Sequence, residues 1–391
     1  MWNKIRITGA GFLAYFVMSA IISPLGVVTG SIAARYGVSV TEATASFTWL
    51  TTGILVGTLL AIFIFDYFRL KSVILGGVVV ICLSIYAIYA FSSFTVVVVS
   101  LGFIGTACGI ELAAAAVAIT ELFEERLRAS MLLLTDSFYS TAGVISTSLG
   151  GFLIAREFHW SSAYLPAFVT ALMVGLLALT SRYPATIERA KDDTSKNENA
   201  EWPLSVHLVG AAMLIYLVGV TSINSWIPNY SQDRMGLDIA TAGLLVSRLF
   251  FGMFIGQLIT FFLVLRLPLR PLILVYAFMA MTMSGFLWAT DAAAQLQLAM
   301  FVLGLLTGGL FKTVLTYGTT LVAHPSPKMV SYLIFCASFG TAIAPFVSAI
   351  IVDLLDMRAV LQFATLCYAV MLAMLLAAQS FQKQRIEPAV Q

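Results

Sequence analysis

Charged side chains are scarce in this sequence. Lysine, arginine, aspartate and glutamate make up only 10% of its 391 residues, whereas 60% are hydrophobic. Soluble domains carry about 25% charged residues, so this composition excludes an ordinary water-soluble protein. The lysines and arginines are also spread among many segments instead of forming one basic stripe, which argues against a nucleic-acid partner.

Cysteine and histidine are scarce as well. The four cysteines all fall inside apolar runs, and the three histidines lie near the ends of such runs. The chain has no paired CxxC, no HExxH, no GxSxG and no P-loop lysine, which are the spacings that hold metals, nucleophiles or nucleotides. We therefore expect no metal, no cofactor and no enzymatic activity.

Long apolar runs are what the sequence has in abundance. Twelve of them contain about 20 residues or more, which is the length a helix needs to cross a bilayer while satisfying its own backbone hydrogen bonds. They predict an all-α membrane protein with the lipid bilayer as a partner. The predicted spans are 8–33, 43–65, 72–91, 95–121, 130–155, 161–181, 204–228, 239–265, 271–290, 295–322, 328–352 and 359–380.

The loops between these runs differ in charge. Fifteen of the lysines and arginines outside the spans fall on one side of the predicted membrane and four on the other. By the positive-inside rule, both termini of this multi-pass protein are cytoplasmic. We expect it in a bacterial inner membrane. A charged linker, 183–203, divides the chain into two six-helix bundles, 1–182 and 204–391.

The two halves resemble each other in the placement of glycine. The matched positions are Gly53–Gly57 with Gly252–Gly256 at an offset of 199, Gly102 with Gly304 at 202, and Gly143 with Gly340 at 197. Similar offsets in several spans indicate two parallel six-helix pseudo-repeats. Repeats of this kind place a solute site near the bilayer midplane, where the halves meet.

Only four charged side chains lie well inside the predicted spans: Glu111, Asp136, Arg248 and Lys312. An unpaired charge at this depth costs at least about 2.5–3.5 kcal/mol, so such residues face a wet cavity or one another. A poorly hydrated cavity favours the protonated form of a carboxyl group, which makes Glu111, with Asp136, the candidate for proton coupling. Arg248 and Lys312 are candidates for binding an anionic solute. The alternative is that the cations only neutralise the two carboxylates.

Uncharged polar and aromatic side chains near these charges complete the candidate substrate site: Trp49, Tyr139, Asn224, Gln257 and Tyr317. Core packing explains any one of them equally well.

Two segments resemble the major facilitator superfamily, and within it the fucose:proton symporter family and its TsgA-like branch. They are Gly109-Ile-Glu111-Leu-Ala-Ala and Leu134-Thr-Asp136-Ser-Phe-Tyr-Ser-Thr-Ala-Gly143. The resemblance covers the whole chain. It implies the major facilitator fold, a monomer, alternating access driven by the proton gradient, and a role for Glu111 in proton coupling.

The loop between spans 2 and 3 retains Asp66, Arg69 and Lys71 of the superfamily's signature, which implies a conformational gate there. The first span has no acidic residue where the fucose symporters carry an aspartate, and Ala116 replaces an asparagine of their motif.

The sequence thus predicts a proton-coupled secondary active transporter for a small polar solute. Arg248 and Lys312 favour an anionic, carboxylated solute, with import favoured over export. Neutral sugar:proton symport and proton-driven efflux by antiport remain the alternatives. A sensor built on a transporter fold would need an added signalling domain, and the linker is too short and polar to be one.

Overall fold

The computed structural model describes residues 2–123, 125–183, 202–264, 266–322 and 327–386. Fourteen α-helices and one short 3-10 helix, Trp160–Tyr164, account for nearly all of these residues. The helices are α1 (Trp2–Ile22), α2 (Leu25–Tyr36), α3 (Val40–Tyr67), α4 (Leu70–Ala90), α5 (Phe94–Leu122), α6 (Glu125–Ala155), α7 (Leu165–Thr180), α8 (Leu204–Met235), α9 (Ile239–Val264), α10 (Leu269–Ala289), α11 (Ala293–Gly308), α12 (Leu310–Thr319), α13 (Pro327–Leu354) and α14 (Met357–Ile386).

Twelve candidate membrane spans occur among the described residues, which confirms the predicted number. Two of the predicted spans are interrupted. The first is divided into α1 and α2 at Pro24, which lacks the amide hydrogen that a continuous helix would use. The tenth is divided into α11 and α12 at Gly309.

The chain forms two compact units. The first comprises Met1–Asp193 with Leu237–Ser247, and the second comprises Thr194–Gly236 with Arg248–Gln391. The start of α9 thus belongs to the first unit: Ser148 donates a hydrogen bond to Ser247 there (2.8 Å).

The two halves of the chain repeat the same helices at a constant offset of 199 residues. Helix α4 runs from 70 to 90 and α10 from 269 to 289, and the starts of α3 and α9 and the ends of α6 and α13 differ by the same number. Gly37 and Gly236 follow α2 and α8 with φ of 67° and 64°, a left-handed conformation that glycine adopts without steric penalty. Ser39 and Asp238 then accept amide hydrogens near the starts of α3 and α9. The offsets of 202 and 197 proposed for spans 4 and 5 are therefore wrong.

Glycines hold the equivalent helix pairs together at very short range. A Cβ atom placed on Gly105 of α5 would lie 2.0 Å from the carbonyl oxygen of Leu50 in α3, and one on Gly304 of α11 would lie 2.0 Å from that of Leu249 in α9. Gly53, Gly57 and Gly109 make the corresponding contacts in the first unit, and Gly252, Gly256 and Gly308 in the second. Close backbone approach of this kind is how membrane helices gain packing energy without a hydrophobic driving force. The tenth-span partner of Gly105 is thus Gly304, which the sequence comparison had matched to Gly102.

Candidate functional site

Glu111 is enclosed within the first unit. It lies on α5 and is only 2% exposed. Its carboxyl group faces α4, where a Cβ atom on Gly77 would lie 2.6 Å from Oε1, so glycine at 77 leaves the room that the carboxyl group occupies. Neither carboxyl oxygen has a hydrogen-bond partner in the part of the chain that the structure describes.

A small cavity adjoins the Glu111 carboxyl group. It has a volume of about 10 Å³ and lies between α1, α4, α5 and the end of α7, with Gly11, Ala14 and Ala115 among its apolar walls. Tyr183 also lines it, and the Tyr183 hydroxyl group is buried without a partner among the described residues. Tyr183, which the sequence placed in the linker, thus packs into the first unit.

The segment that carries Tyr183 is fixed by side chains from two other helices. All four carbonyl groups of residues 179–182 accept a hydrogen bond from α1 or α4. Lys71 Nζ donates to those of residues 179 (2.8 Å) and 181 (3.1 Å). Arg6 Nη1 donates to that of residue 180 (3.0 Å), and Asn3 Nδ2 donates to that of residue 182 (2.7 Å). These donors satisfy the carbonyl groups that the end of a helix leaves unpaired, and two of them are cations placed where the helix dipole favours positive charge.

Asp136 belongs to a second polar cluster of the first unit. It is half-buried on α6 and lies close enough to the hydroxyl groups of Tyr15 and Tyr139 for its charge to act on both. Tyr15 comes from α1, directly after Ala14 of the Glu111 cavity, and successive helical residues point about 100° apart. Glu111 and Asp136 therefore face different sides of α1. Sequence reasoning proposed Tyr139 for the substrate site but did not single out Tyr15, since an isolated tyrosine in an apolar run carries no distinguishing signal.

The two candidate cations lie in the second unit. The Arg248 side chain is on the exposed face of α9, which it shares with Leu244 and Phe251. Lys312 is half-buried on α12, and its Nζ atom lies 5.5 Å from the ring centroid of Phe311. Both spans therefore place a basic side chain outside the packed interior of their unit.

The uncharged candidates differ widely in burial. Tyr317 is fully buried on the packed face of α12, and Asn224 of α8 is buried with its Oδ1 atom unpartnered among the described residues. Trp49 of α3 is 61% exposed. Gln257 is half-buried nine residues after Arg248 on α9, a spacing that puts the two on opposite faces of the helix.

The residues proposed as a gate have separate environments. Lys71 binds the carbonyl groups at the end of α7, as described above. Arg69 is exposed at the N-cap position of α4 and makes no capping hydrogen bond with its side chain. Asp66 falls in α3, but its side chain lies outside the described residues.

Comparison with known proteins agrees with this architecture. The family model of the Major Facilitator Superfamily matches residues 9–329. The chain is 29% identical over 386 residues to the protein TsgA homologs of Yersinia pestis and Yersinia pseudotuberculosis, covering 98% of this chain and 97% of each relative. The chain therefore belongs to the Major Facilitator Superfamily.

Solved structures share the fold at lower identity. The D-xylose-proton symporter has a TM-score of 0.73 at 14% identity, with 97% of this chain and 96% of that chain covered. FucP in its outward conformation has a TM-score of 0.63 at 17% identity, with 95% and 98% covered. Its family makes the chain a transporter with twelve candidate membrane spans among the described residues. The similarity to TsgA homologs confirms the resemblance predicted from the sequence.

Proposed function

We propose that this protein is a proton-coupled secondary active transporter that moves a small anionic, carboxylated solute across the bacterial inner membrane. It works by alternating access, with Glu111 as the proton carrier and import as the favoured direction. The chain acts as a monomer with both termini in the cytoplasm, and its functional halves are 1–182 and 204–391, joined by 183–203. It needs no cofactor besides the proton gradient.

The burial of Glu111 carries this proposal. An ionised carboxylate at this depth without a partner costs at least about 2.5–3.5 kcal/mol, whereas a protonated carboxyl group is much less costly to bury. The group therefore has a physical reason to be protonated in this conformation. In a second conformation that hydrates Glu111 or brings a cation near it, the carboxyl group can lose this proton. A difference in proton affinity between two conformations couples proton binding to the conformational change.

The preference for an anion rests on Arg248 and Lys312. The planar guanidinium group of Arg248 can bind a carboxylate through two parallel hydrogen bonds. Arg248 is exposed and Lys312 is half-buried, so both side chains lie outside the packed core of the second unit. Asp136, with Tyr15 and Tyr139, offers a second titratable group on a different side of α1.

A neutral sugar is the second candidate substrate. Two structures with this fold are described as the fucose:proton symporter FucP and the D-xylose-proton symporter. Their names favour sugar:proton symport as the alternative. Proton-driven efflux would use the same residues with the solute moving in the opposite direction.

The test is thermal stabilisation of the purified protein by candidate solutes, followed by transport in liposomes. Organic acids, carboxylate siderophores and neutral sugars are compared on the parent protein, on Lys312→Ala and on Arg266→Ala, which removes an exposed loop cation as a matched control. We expect stabilisation by an anion that is lost only in Lys312→Ala. Stabilisation by a sugar that is indifferent to Lys312 would favour the alternative.

Proton coupling is then measured with the stabilising solute and a pH-sensitive dye inside the liposomes. Glu111→Gln should abolish proton movement while leaving exchange of labelled for unlabelled solute intact, because exchange needs no net proton transfer. Accumulation of solute against its gradient by Glu111→Gln would refute the role of Glu111.

A further inference from the structure

We propose that Tyr183 positions the proton path of Glu111: its hydroxyl group, with one water molecule in the adjoining cavity, links the carboxyl group to the aqueous side at which α7 ends. This inference rests on the proposed function, in which Glu111 binds and releases a proton. The inference adds Tyr183, at the border of the linker and outside the apolar runs, to the residues proposed for proton coupling.

Three buried oxygen atoms support the placement of a water molecule. Both carboxyl oxygens of Glu111 and the hydroxyl oxygen of Tyr183 are buried without partners among the described residues. Burying such groups unpaired carries a desolvation penalty that a hydrogen bond to water would offset. A cavity of about 10 Å³ is roughly the space of one water molecule, and Glu111 and Tyr183 supply the two polar partners that such a water needs.

The described walls of this cavity on α1 and α4 are apolar. The α1 wall of the cavity consists of Ile7, Ala10, Gly11 and Ala14, and the α4 wall of Ile74. The nearby titratable groups on these elements are the thiols of Cys82 on α4 and Cys108 on α5, which are weak hydrogen-bonding groups. Arg6 and Lys71 lie near the end of α7, but they bind its carbonyl groups.

Tyr183 is held in place more firmly than a linker residue would be. The four carbonyl groups immediately before it are all bound by Asn3, Arg6 and Lys71, and the amide of Arg182 donates to Asn3 Oδ1 (2.8 Å). Asn3 and Arg182 thus pair reciprocally. Burial also raises the pKa of Tyr183 to about 12, and the nearby Glu111 adds to this, so the phenol stays protonated and can both donate and accept a hydrogen bond.

The proton balance of the path is simple. On release, the carboxyl O–H bond of Glu111 breaks and the water takes the proton. The water passes a proton to the Tyr183 hydroxyl group, which gives its own proton to solvent at the end of α7 once solvent reaches this hydroxyl group, buried in the present conformation. Tyr183 ends as it began, and loading of Glu111 is the reverse. By the positive-inside prediction, this side is the cytoplasm.

The experiment follows the carboxyl infrared band of the purified full-length protein after a rapid pH change. Each protein is compared with the same protein carrying Glu111→Gln, so that the difference isolates Glu111. We expect Tyr183→Phe, which keeps the ring, to slow proton exchange at the Glu111 carboxyl group about tenfold or more. This is less than the roughly 100-fold or greater rate effect of a positioned general acid or base. Tyr67→Phe, which alters an exposed tyrosine at the end of α3, should exchange at the parent rate. Thermal unfolding is recorded for each variant.

Two further variants separate positioning from packing. Tyr183→His restores a polar hydrogen-bonding group and should recover part of the rate. Asn3→Ala loosens residues 179–182 without changing the hydroxyl group, so it should also slow exchange, and it tests the path even if Tyr183→Phe does not fold. Parent rates in Tyr183→Phe and Asn3→Ala would overturn the role of Tyr183 and leave that of Glu111 intact. A parent protein with no Glu111 band would overturn the proposed proton carrier and, with it, the path.

Discussion

The glycine contacts between α3 and α5 give the sharpest quantitative prediction. In Gly105→Ala, the new Cβ atom would lie 2.0 Å from the carbonyl oxygen of Leu50, and a backbone oxygen cannot rotate away as a side chain can. The helices must therefore separate. Overpacking typically costs about 1–3 kcal/mol, and the backbone contact places this change near the upper end. Alanine regains up to about 1 kcal/mol over glycine in a helix, so we expect a net loss of about 2 kcal/mol.

The same helix provides the matched control. At Gly102, three residues before Gly105, the nearest atom to an added Cβ is the carbonyl oxygen of Trp49 at 4.0 Å. Gly102→Ala should therefore be neutral or stabilising by up to about 1 kcal/mol. Gly304→Ala repeats the test in the second unit, where the contact with Leu249 is equally short, and it should destabilise as much as Gly105→Ala.

The protein's own cysteines provide the assay. Cys82 and Cys108 lie in the first unit, Cys336 and Cys367 in the second, and all but Cys82 are buried, so a thiol-reactive dye becomes fluorescent as each unit unfolds. Removing one pair by substitution to alanine or serine lets the other pair report on a single unit. If Gly105→Ala and Gly102→Ala unfolded at the same temperature, the argument from backbone contact would be refuted.

Two further predictions concern single contacts. Gly77→Ala would place a Cβ atom 2.6 Å from the Glu111 carboxyl oxygen and displace it, so the pH dependence of transport should shift, whereas Gly76→Ala, with open space around its Cβ, should leave that pH profile unchanged. Asp238→Ala removes the acceptor for the Thr241 amide at the start of α9 and should cost about 1 kcal/mol at neutral pH. Because hydrogen bonds from Thr241 hold the pKa of Asp238 below its ordinary value, this difference should persist above that value and vanish as the pH falls through the lowered pKa; thermal unfolding at several pH values measures it.

The spans were predictable because hydropathy is a local property. Their number follows from the length of each apolar run, and most of the observed helix ends lie within a few residues of the predicted ones. The break at Gly309 was not predicted, and the contact made there is with a distant residue: a Cβ on Gly309 would lie 2.1 Å from Thr260 Oγ1. Glycine at that position suits a close contact that no local pattern in the tenth span reveals.

The candidate site was predictable only in part. Glu111 stands out in the sequence because a charge within an apolar run is rare and costly. The residues around Glu111 do not stand out in the sequence, because Gly77 lies 34 residues before it and Tyr183 lies 72 residues after it. Tyr183 follows the sixth apolar run and was assigned to the linker because the predicted span ends at residue 181. Hydrogen bonds from Asn3, Arg6 and Lys71 keep the residues before it within the unit.

Comparison of equivalent positions in the two halves distinguishes residues required for helix packing from residues available for proton transfer. At the constant offset of 199, the glycines that bring α3 onto α5 recur where α9 meets α11, because each removes a clash with a backbone oxygen that no side chain could relieve. The neighbouring positions are free to differ. Gly77 corresponds to Tyr276, whose hydroxyl group is hydrogen-bonded to Thr260 (3.0 Å), and Glu111 corresponds to Leu310. The second unit therefore fills with a tyrosine and a leucine the positions at which the first unit holds a glycine and a buried carboxyl group. This difference between otherwise equivalent units is the physical reason to place the proton carrier in the first.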